Sequence, residues 1–578
     1  MAMSRRSFVV GSAVAASAAA AACGTGDSGS GASADVIFSG GPIVTVAGGA
    51  AEVEALAVTG GRISAVGTES EVMAHRGPAT KLVDLRGRAL LPAFVEPHSH
   101  PSQIAAALAP PAVDVRPFTV PTGDGVNAKL AEAVRNAQPG ESILLYGIDV
   151  LLQTGLVLPT VRSLDAAAPA NPVVVVSNSG HAAYGNTAAL TQAGITRDTR
   201  NPPGAEYVHG PDGELTGEVR EAAAILTLTE PLQASVSGGM PDRLRWAYRE
   251  LAAAGYATAS EHTGSADSGQ LYTAVAADPA CPIRIRSYTM GTPELATDAA
   301  NVPGPAVGGD ALFGVIGMKL WADGSPWQGN IFTTFPYLTN EATARMGLEP
   351  HHHGGMNYTP EQITDLSAAF VGQGWQPACH VHGDAAVDVV LDAYEKALAG
   401  KTGDLRPRLE HCGAMRPDQF ARAAKLGVTV SFFIEHVYYW GDVLIDELFG
   451  PEHGAHWMSA KSALDAGLRI SFHNDGTVTP PDPIGNIATA VTRTARGSGR
   501  VLAAEQCLSV DAAIKAQTLD AAWQLHLDAE IGSLEPGKCA DLVVLSGNPR
   551  AVPPESLRAL RVEATYLMGR QTFGPPLA

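Results

Sequence analysis

One segment limits what this chain can fold into more than any other: Leu90-Leu91-Pro92-Ala93-Phe94-Val95-Glu96-Pro97-His98-Ser99-His100-Pro101. Its apolar run, residues 90–95, predicts a buried strand, and two histidines spaced i, i+2 follow it. Side chains two apart in an extended chain project to the same face, so His98 and His100 can reach one metal ion from a single strand end. A lone histidine is ordinarily a satisfied core or surface residue. A pair on one face, at the carboxyl end of an apolar strand, points towards ligands, and the test is whether other strands end the same way.

They do. Apolar runs that stop at polar residues recur at 256–262, 282–289, 315–323, 376–380, 407–411, 428–433 and 468–475. After the fifth strand, Val387, Val390, Leu391, Tyr394 and Leu398 fall at i, i+3, i+4, i+7 and i+11, one buried helical stripe. Eight such strand–helix repeats predict an α/β fold, a TIM (β/α)8 barrel, whose active site lies at the carboxyl ends of the strands. Short alternating strands precede it at 36–38, 43–46, 55–58, 62–66 and 81–85, and return at 540–545 and 562–567. They predict a small β-sandwich assembled from both termini. The expected organisation is a leader and Gly/Ser tether over 1–33, sandwich over 34–89, barrel over 90–527 and sandwich again over 528–578. An insertion at about 101–236, with elements of its own at 141–146 and 172–176, would shape the pocket from the barrel's upper rim.

A net charge of −19 argues against nucleic acid and anionic membrane surfaces as partners. The chain starts with Ser4-Arg5-Arg6-Ser7-Phe8 and an uncharged, Ala-rich run to Ala22, the pattern of an export signal of the twin-arginine type. That run is too weakly apolar to make a good membrane span. Ala20-Ala21-Ala22-Cys23 resembles a lipobox, which makes Cys23 the expected acylation site, with residues 24–33 as the tether. The expected location is therefore outside the cytoplasm, as a cell-surface lipoprotein or a periplasmic or extracellular protein. The remaining partners are a small-molecule substrate, a membrane reached only through the lipid anchor, and further copies of the chain in a homo-oligomer. The other five cysteines, at 281, 379, 412, 507 and 539, show no CxxC spacing and no disulfide framework. Cys379 and Cys412 each adjoin a candidate ligand, point away from it by alternation, and read as packing residues.

Collected, the strand ends carry His98 and His100, Lys319 on the fourth strand, His380 on the fifth, His411 on the sixth and Asp475 on the eighth. Four imidazoles and a carboxylate suit zinc or a similar divalent ion. The stretch 92–100, Gly317-Met318-Lys319 with Asp323-Gly324-Ser325, His380 with Gly383-Asp384, Arg408-Leu409-Glu410-His411, and 532–538 with 540–545 resemble the amidohydrolase superfamily, specifically its amidohydrolase family 3 (YtcJ-like) branch. The resemblance covers nearly everything after Asp35. It implies a metal-dependent hydrolase in which His98, His100 and Asp475 hold one ion and His380 and His411 a second. Lys319, carboxylated, would bridge them; its alternative is a cation paired with a carboxylate such as Asp323, and one ion or two stays open. The resemblance also implies that Asp475 carries a proton from water to the leaving nitrogen. His436 matches a family histidine suited to an oxyanion, and His181, in Ser179-Gly180-His181, matches another. A structural role for either is an equal alternative.

Two histidines depart from the family pattern. His473-Asn474 stands where Gly-Ser is usual, with His473 sharing a face with Asp475, and His382 shares a face with His380. The run His351-His352-His353 reads as solvated surface. Trp327 and the segment His436-Val437-Tyr438-Tyr439-Trp440 follow barrel strands, so they either wall the pocket or pack beneath the insertion. The expected activity is hydrolysis of a non-peptide C–N bond in an amide, imide or urea-like small molecule. Ester or lactone hydrolysis on the same site, and a surface lipoprotein that binds a solute without turnover, are the alternatives.

Overall fold

The computed structural model describes residues 33–577 except 49–51, 203–204, 221, 235–238, 266–267 and 298–310. The expected leader, Arg5-Arg6 and Cys23 lie outside the described residues. Among those described, no helix is long and apolar enough to cross a membrane.

Eight parallel strands form one sheet in chain order: β1 Phe94–Glu96, β2 Tyr256–Gly264, β3 Arg284–Met290, β4 Phe313–Trp321, β5 Gln376–Val381, β6 Arg408–His411, β7 Thr429–Phe432 and β8 Ile470–Phe472. Strands packed on both faces read as continuous apolar runs, which is why they were legible in the sequence. Between β8 and β1 the described residues form no ladder, and side chains close the seam. The Gln517 amide donates to Val95 O at 2.9 Å and Phe472 O at 3.3 Å, and Asn474 N donates to Glu96 Oε1 at 3.0 Å. The helix Asp384–Leu398 buries Val387, Val390, Leu391 and Tyr394 completely. Each such side chain contributes about 1.5–3 kcal/mol of transfer free energy. Gly383, at its N-cap, has no room for a Cβ because the Phe332 carbonyl occupies that space.

The single strand expected over 90–95 is two. Ala89–Pro92 pairs antiparallel with Leu542–Leu545 in a six-stranded sheet, and β1 starts at Phe94. At the break, Ala93 N donates to Asp541 O at 2.9 Å. Both pieces are fully buried, so hydrophobicity alone could not reveal that the chain changes sheets there. The six-stranded sheet and a four-stranded one containing Val36–Ser39 enclose Phe38, Leu56, Val83, Leu90, Leu542 and Tyr566. Segments from both ends of the chain thus meet in one small β unit.

The insertion is more than a rim loop. It forms a six-stranded mixed sheet around Ile143–Ile148 and Val173–Ser177, with its own core including Val115, Leu130, Leu145, Leu164, Val175 and Tyr184. It is tied to the barrel beside β8, where Tyr146 Oη lies 2.7 Å from Thr477 Oγ1 and Arg116 Nη1 donates to Thr477 O at 2.9 Å.

Candidate metal centre

The carboxyl ends of the strands open into a cavity of about 720 Å³ lined by His98, His100, His380, His382, His411 and Asp475. His181, Tyr146, Trp321, Trp327, Phe433 and His436 also stand in its walls. Two of these leave their strands through left-handed backbone, His411 at φ +70° and Asp475 at φ +50°. Such conformations cost a non-glycine residue about 1–3 kcal/mol and concentrate where a site needs a side chain aimed off the regular path.

On the first wall, His98 Nε2 and His100 Nε2 lie 3.4 and 3.2 Å from the same oxygen, Asp475 Oδ1. Behind His98, Glu410 Oε2 is 2.7 Å from Nδ1, and Arg408 grips Glu410 through two bonds of 2.8 and 3.0 Å. All three residues are buried. The carboxylate accepts, so His98 carries its proton on Nδ1 and presents a bare Nε2. Lys319 Nζ, also buried, sits 3.2 Å from that Nε2, and burial pushes Lys319 down to about 8. Asp323, the carboxylate expected beside it, instead accepts from the backbone N–H of His382 at 2.9 Å, Gly383 at 2.8 Å and Phe332 at 3.2 Å.

On the second wall, His380 Nε2 is 2.8 Å from Gly324 O. A carbonyl only accepts, so Nε2 holds the proton and Nδ1 is bare. Nitrogens of His380, His382 and His411 lie within 4.8 Å of one another. His382 Nδ1 and His411 Nε2 are buried and have no hydrogen-bond partner among the described residues. A buried polar atom without a partner costs about 1–3 kcal/mol, which a ligand would relieve. Neutral imidazoles with one carboxylate are the donor set of a divalent ion, so the residues present fit one. Burial keeps the imidazoles neutral, as ligation requires: His98, His382 and His411 fall well below the ordinary histidine range and His380 to about 3. For Asp475, burial favours the neutral acid. The His100 contact at 3.2 Å and the nearby Lys319 ammonium outweigh that, and it stays ionised below the usual carboxylate range.

The Trp457 indole N–H donates to His436 Nδ1 at 3.2 Å, so the proton of this neutral imidazole is on Nε2. Burial pushes His436 down to about 3. His181 reaches the cavity from the insertion, its backbone N–H donating to Ser179 Oγ at 3.3 Å. His382 enters the cavity, whereas His473 does not line it. His473 faces the barrel interior a layer below, against His411, because residues two apart on a strand share a face at different depths.

Trp327 walls the cavity, but Trp440 is wholly buried behind it, stacked at 4.7 Å. Phe118 of the insertion packs on Tyr439 and Trp440, at 4.3 and 5.8 Å, and Tyr438 lies under Arg558, so these three rings take the packing alternative while His436 lines the cavity. The histidine run is not a solvated surface. His352 Nε2 binds Gly329 O and His353 Nδ1 binds Thr333 O, which leaves only His351 exposed. Cys281, Cys379, Cys412 and Cys507 are free thiols, with Cys379 and Cys412 buried. The residues that reading the sequence left without a role are Glu410 and Arg408. The available signal was two charged side chains on one face of an otherwise buried strand.

Metal-dependent hydrolases are the class that such a barrel and such a cavity define. The profile of the Amidohydrolase family matches residues 81–573, and the chain belongs to that family. It is 28 % identical over 544 residues to N-substituted formamide deformylase from Arthrobacter pascens, a match covering 89 % of this chain and 94 % of the relative. It is 26 % identical over 548 residues to the protein YtcJ of Bacillus subtilis strain 168, covering 93 % and 99 % respectively. An uncharacterized metal-dependent hydrolase from Pyrococcus horikoshii OT3 shares the fold, with a TM-score of 0.70 at 22 % identity over 90 % of this chain and 99 % of that one. The barrel and the family expected from the sequence are both borne out.

Proposed function

We propose that this amidohydrolase cleaves a non-peptide C–N bond in a small N-formyl, N-acyl or cyclic amide, imide or urea-like compound, with zinc as its metal. The observation that carries this reading is the convergence of His98 Nε2 and His100 Nε2 on Asp475 Oδ1 at the mouth of the barrel. A divalent ion in this donor set supplies Lewis acidity, bringing the pKa of water from about 15.7 towards about 7 and polarising a carbonyl. His98, His100 and Asp475 would hold one ion, and His380 and His411 a second. Lys319 joins the two walls if it is carboxylated. At about 8 it leaves roughly a tenth of its population neutral at pH 7, the form that adds carbon dioxide. Asp475, ionised, takes a proton from the attacking water and delivers it to the leaving nitrogen. His436 offers its Nε2–H to the developing oxyanion, and His181 contacts the substrate from the insertion. Trp321, Trp327, Tyr146 and Phe433 give the cavity apolar walls for a flat or bulky substituent. The relative that acts on N-substituted formamides supports the choice of substrate class. The test is a screen of N-formyl, N-acyl and cyclic amides beside matched esters and lactones. Release of amine from at least one amide is expected, and turnover of esters alone would overturn the reading.

The same proposal places the protein outside the cytoplasm, exported through Arg5-Arg6 and anchored at Cys23, with small molecules as its partners apart from any self-association. Arg5→Lys with Arg6→Lys is expected to retain the precursor inside the cell. Cys23→Ala is expected to release the protein from the membrane fraction, and unchanged membrane retention would refute the anchor.

A further inference from the structure

Behind His411 runs a chain of buried hydrogen bonds whose direction can be read from its far end. Gln524 Nε2 lies 2.9 Å from Val430 O and 2.8 Å from Thr429 Oγ1. The Val430 carbonyl only accepts, so this end of the amide is the NH2 group and the amide oxygen is the end that meets Ser471 Oγ. An amide oxygen also only accepts, so the single hydroxyl proton of Ser471 goes to Gln524. Ser471 Oγ is also placed to donate to Ser431 Oγ at 2.9 Å, but a hydroxyl has one proton and the Gln524 oxygen, which can only accept, takes it, so the hydrogen between the two serine oxygens comes from Ser431. Ser431 Oγ therefore accepts at its 2.7 Å contact with His473 Nδ1, which places the His473 proton on Nδ1. His473 Nε2 is then a lone pair, 3.0 Å from His411 Nδ1, and His411 is the donor. The proton of His411 is thus on Nδ1, and its Nε2, buried and without a partner among the described residues, is bare. Ser431, Ser471, His473 and Gln524 are themselves completely buried, so no solvent proton reorders the chain. The tautomers follow from the pattern of bonds once the Ser471 proton is assigned to the Gln524 oxygen.

We propose that His473 is a positioning residue that locks His411 in its Nδ1–H tautomer, so that Nε2 is a ligand lone pair in the second metal position beside His380. The inference rests on the metal-centre reading above. It gives a use to a histidine that stands where the family resemblance leads one to expect a small residue. Reversing the chain would put an N–H on His411 Nε2, and a donor aimed at a cation repels it. Partners that orient a ligating histidine typically contribute tenfold to a hundredfold in metal affinity.

The test compares metal-free and zinc-loaded full-length protein carrying ring-15N histidine, with the His411 resonances assigned by loss in His411→Asn. In the metal-free protein the 15N shifts are expected to show a protonated Nδ1 and an unprotonated Nε2 at His411. Chelator competition is expected to find one zinc equivalent bound tenfold to a hundredfold more weakly in His473→Leu. His473→Gln, which keeps an acceptor within reach of His411 Nδ1, is expected to recover most of that loss. Should His473→Leu fail to fold, Ser431→Ala breaks the chain one link away and is expected to weaken the same equivalent. If His411→Asn weakens zinc binding while His473→Leu leaves every equivalent within about twofold, or if His411 carries its proton on Nε2, the positioning role is overturned and the metal centre stands. If His411→Asn changes no zinc equivalent, the second metal position itself is wrong, and the inference falls with it.

Discussion

The two walls of the cavity orient their histidines by different means. Behind His98 stands a charged pair, Glu410 gripped by Arg408, with the carboxylate 2.7 Å from the imidazole. Behind His411 stands a neutral chain, His473, Ser431, Ser471 and Gln524, whose contact with the imidazole is 3.0 Å. The charged support makes a shorter, charge-assisted bond and raises the basicity of the ligand it holds. It also commits the core to a buried ion pair, which is costly once one partner is lost. The neutral support carries no such penalty, and its only specification is direction. The first wall should therefore be the tighter metal position and the more brittle one.

Asp475 stands between the walls, 3.4 Å from His98 and 4.0 Å from His411. Asp475→Asn is expected to lower kcat by about 10²–10⁴, the usual range for a lost proton carrier. Zinc on the second wall should survive, and equal loss of all bound zinc would erase the distinction between the walls. Glu410→Gln leaves Arg408 as an uncompensated buried charge, at an expected cost of about 3–5 kcal/mol in urea denaturation. Ser431→Ala, which removes one buried acceptor from the neutral chain, should cost about 1–3 kcal/mol. The reverse order would contradict the asymmetry.

The aromatic residues sharpen the contrast between lining and support. Trp440→Ala empties a fully buried site and is expected to lower stability by about 3–5 kcal/mol while changing KM alike for aromatic and aliphatic amides. Trp327→Ala should raise KM selectively for aromatic amides, because that ring faces the cavity.

A further expected effect is on acid sensitivity. His436, beside the neutral wall, has its folded-state value lowered to about 3 from an ordinary 6.5. The unfolded chain takes up this proton as pH falls through about 6.5, and the folded chain does not until about 3. Stability should therefore decline across that window, by up to about 1.4 kcal/mol per pH unit for the group. His436→Gln is expected to flatten the decline in metal-free protein, and an unchanged slope would show that His436 does not contribute to it.

The barrel was legible because its strands are apolar runs that stop at polar residues, and His98, His100, His380, His411 and Asp475 do gather on one cavity. What escaped the sequence was depth and handover. Alternation assigns His473 to the inward face correctly but cannot say that it sits beneath His411. An apolar pattern cannot show that residues 90–92 pair in the sandwich while 94–96 pair in the barrel, since both are buried. Arg408 and Glu410 were visible as letters, yet their role depends on His98, more than three hundred residues earlier in the chain and adjacent only in the fold. The insertion's sheet went unrecognised beyond two of its strands because Val113–Asp114 and Ala182–Gly185 are too short to carry a period, and Leu215–Arg220 is interrupted by Gly217 and charged residues rather than forming an apolar run.

The most direct measurement is zinc titration into chelator-stripped protein, with elemental analysis and X-ray absorption at the zinc edge, on wild type and on His98→Asn with His100→Asn. Expected is at least one stoichiometric equivalent in a shell of nitrogen and oxygen ligands that includes imidazole, with the tightest equivalent missing from the double variant. Wild-type protein that takes up no stoichiometric metal, or a tightest site that survives replacement of both histidines, would contradict a metal centre built on the first wall.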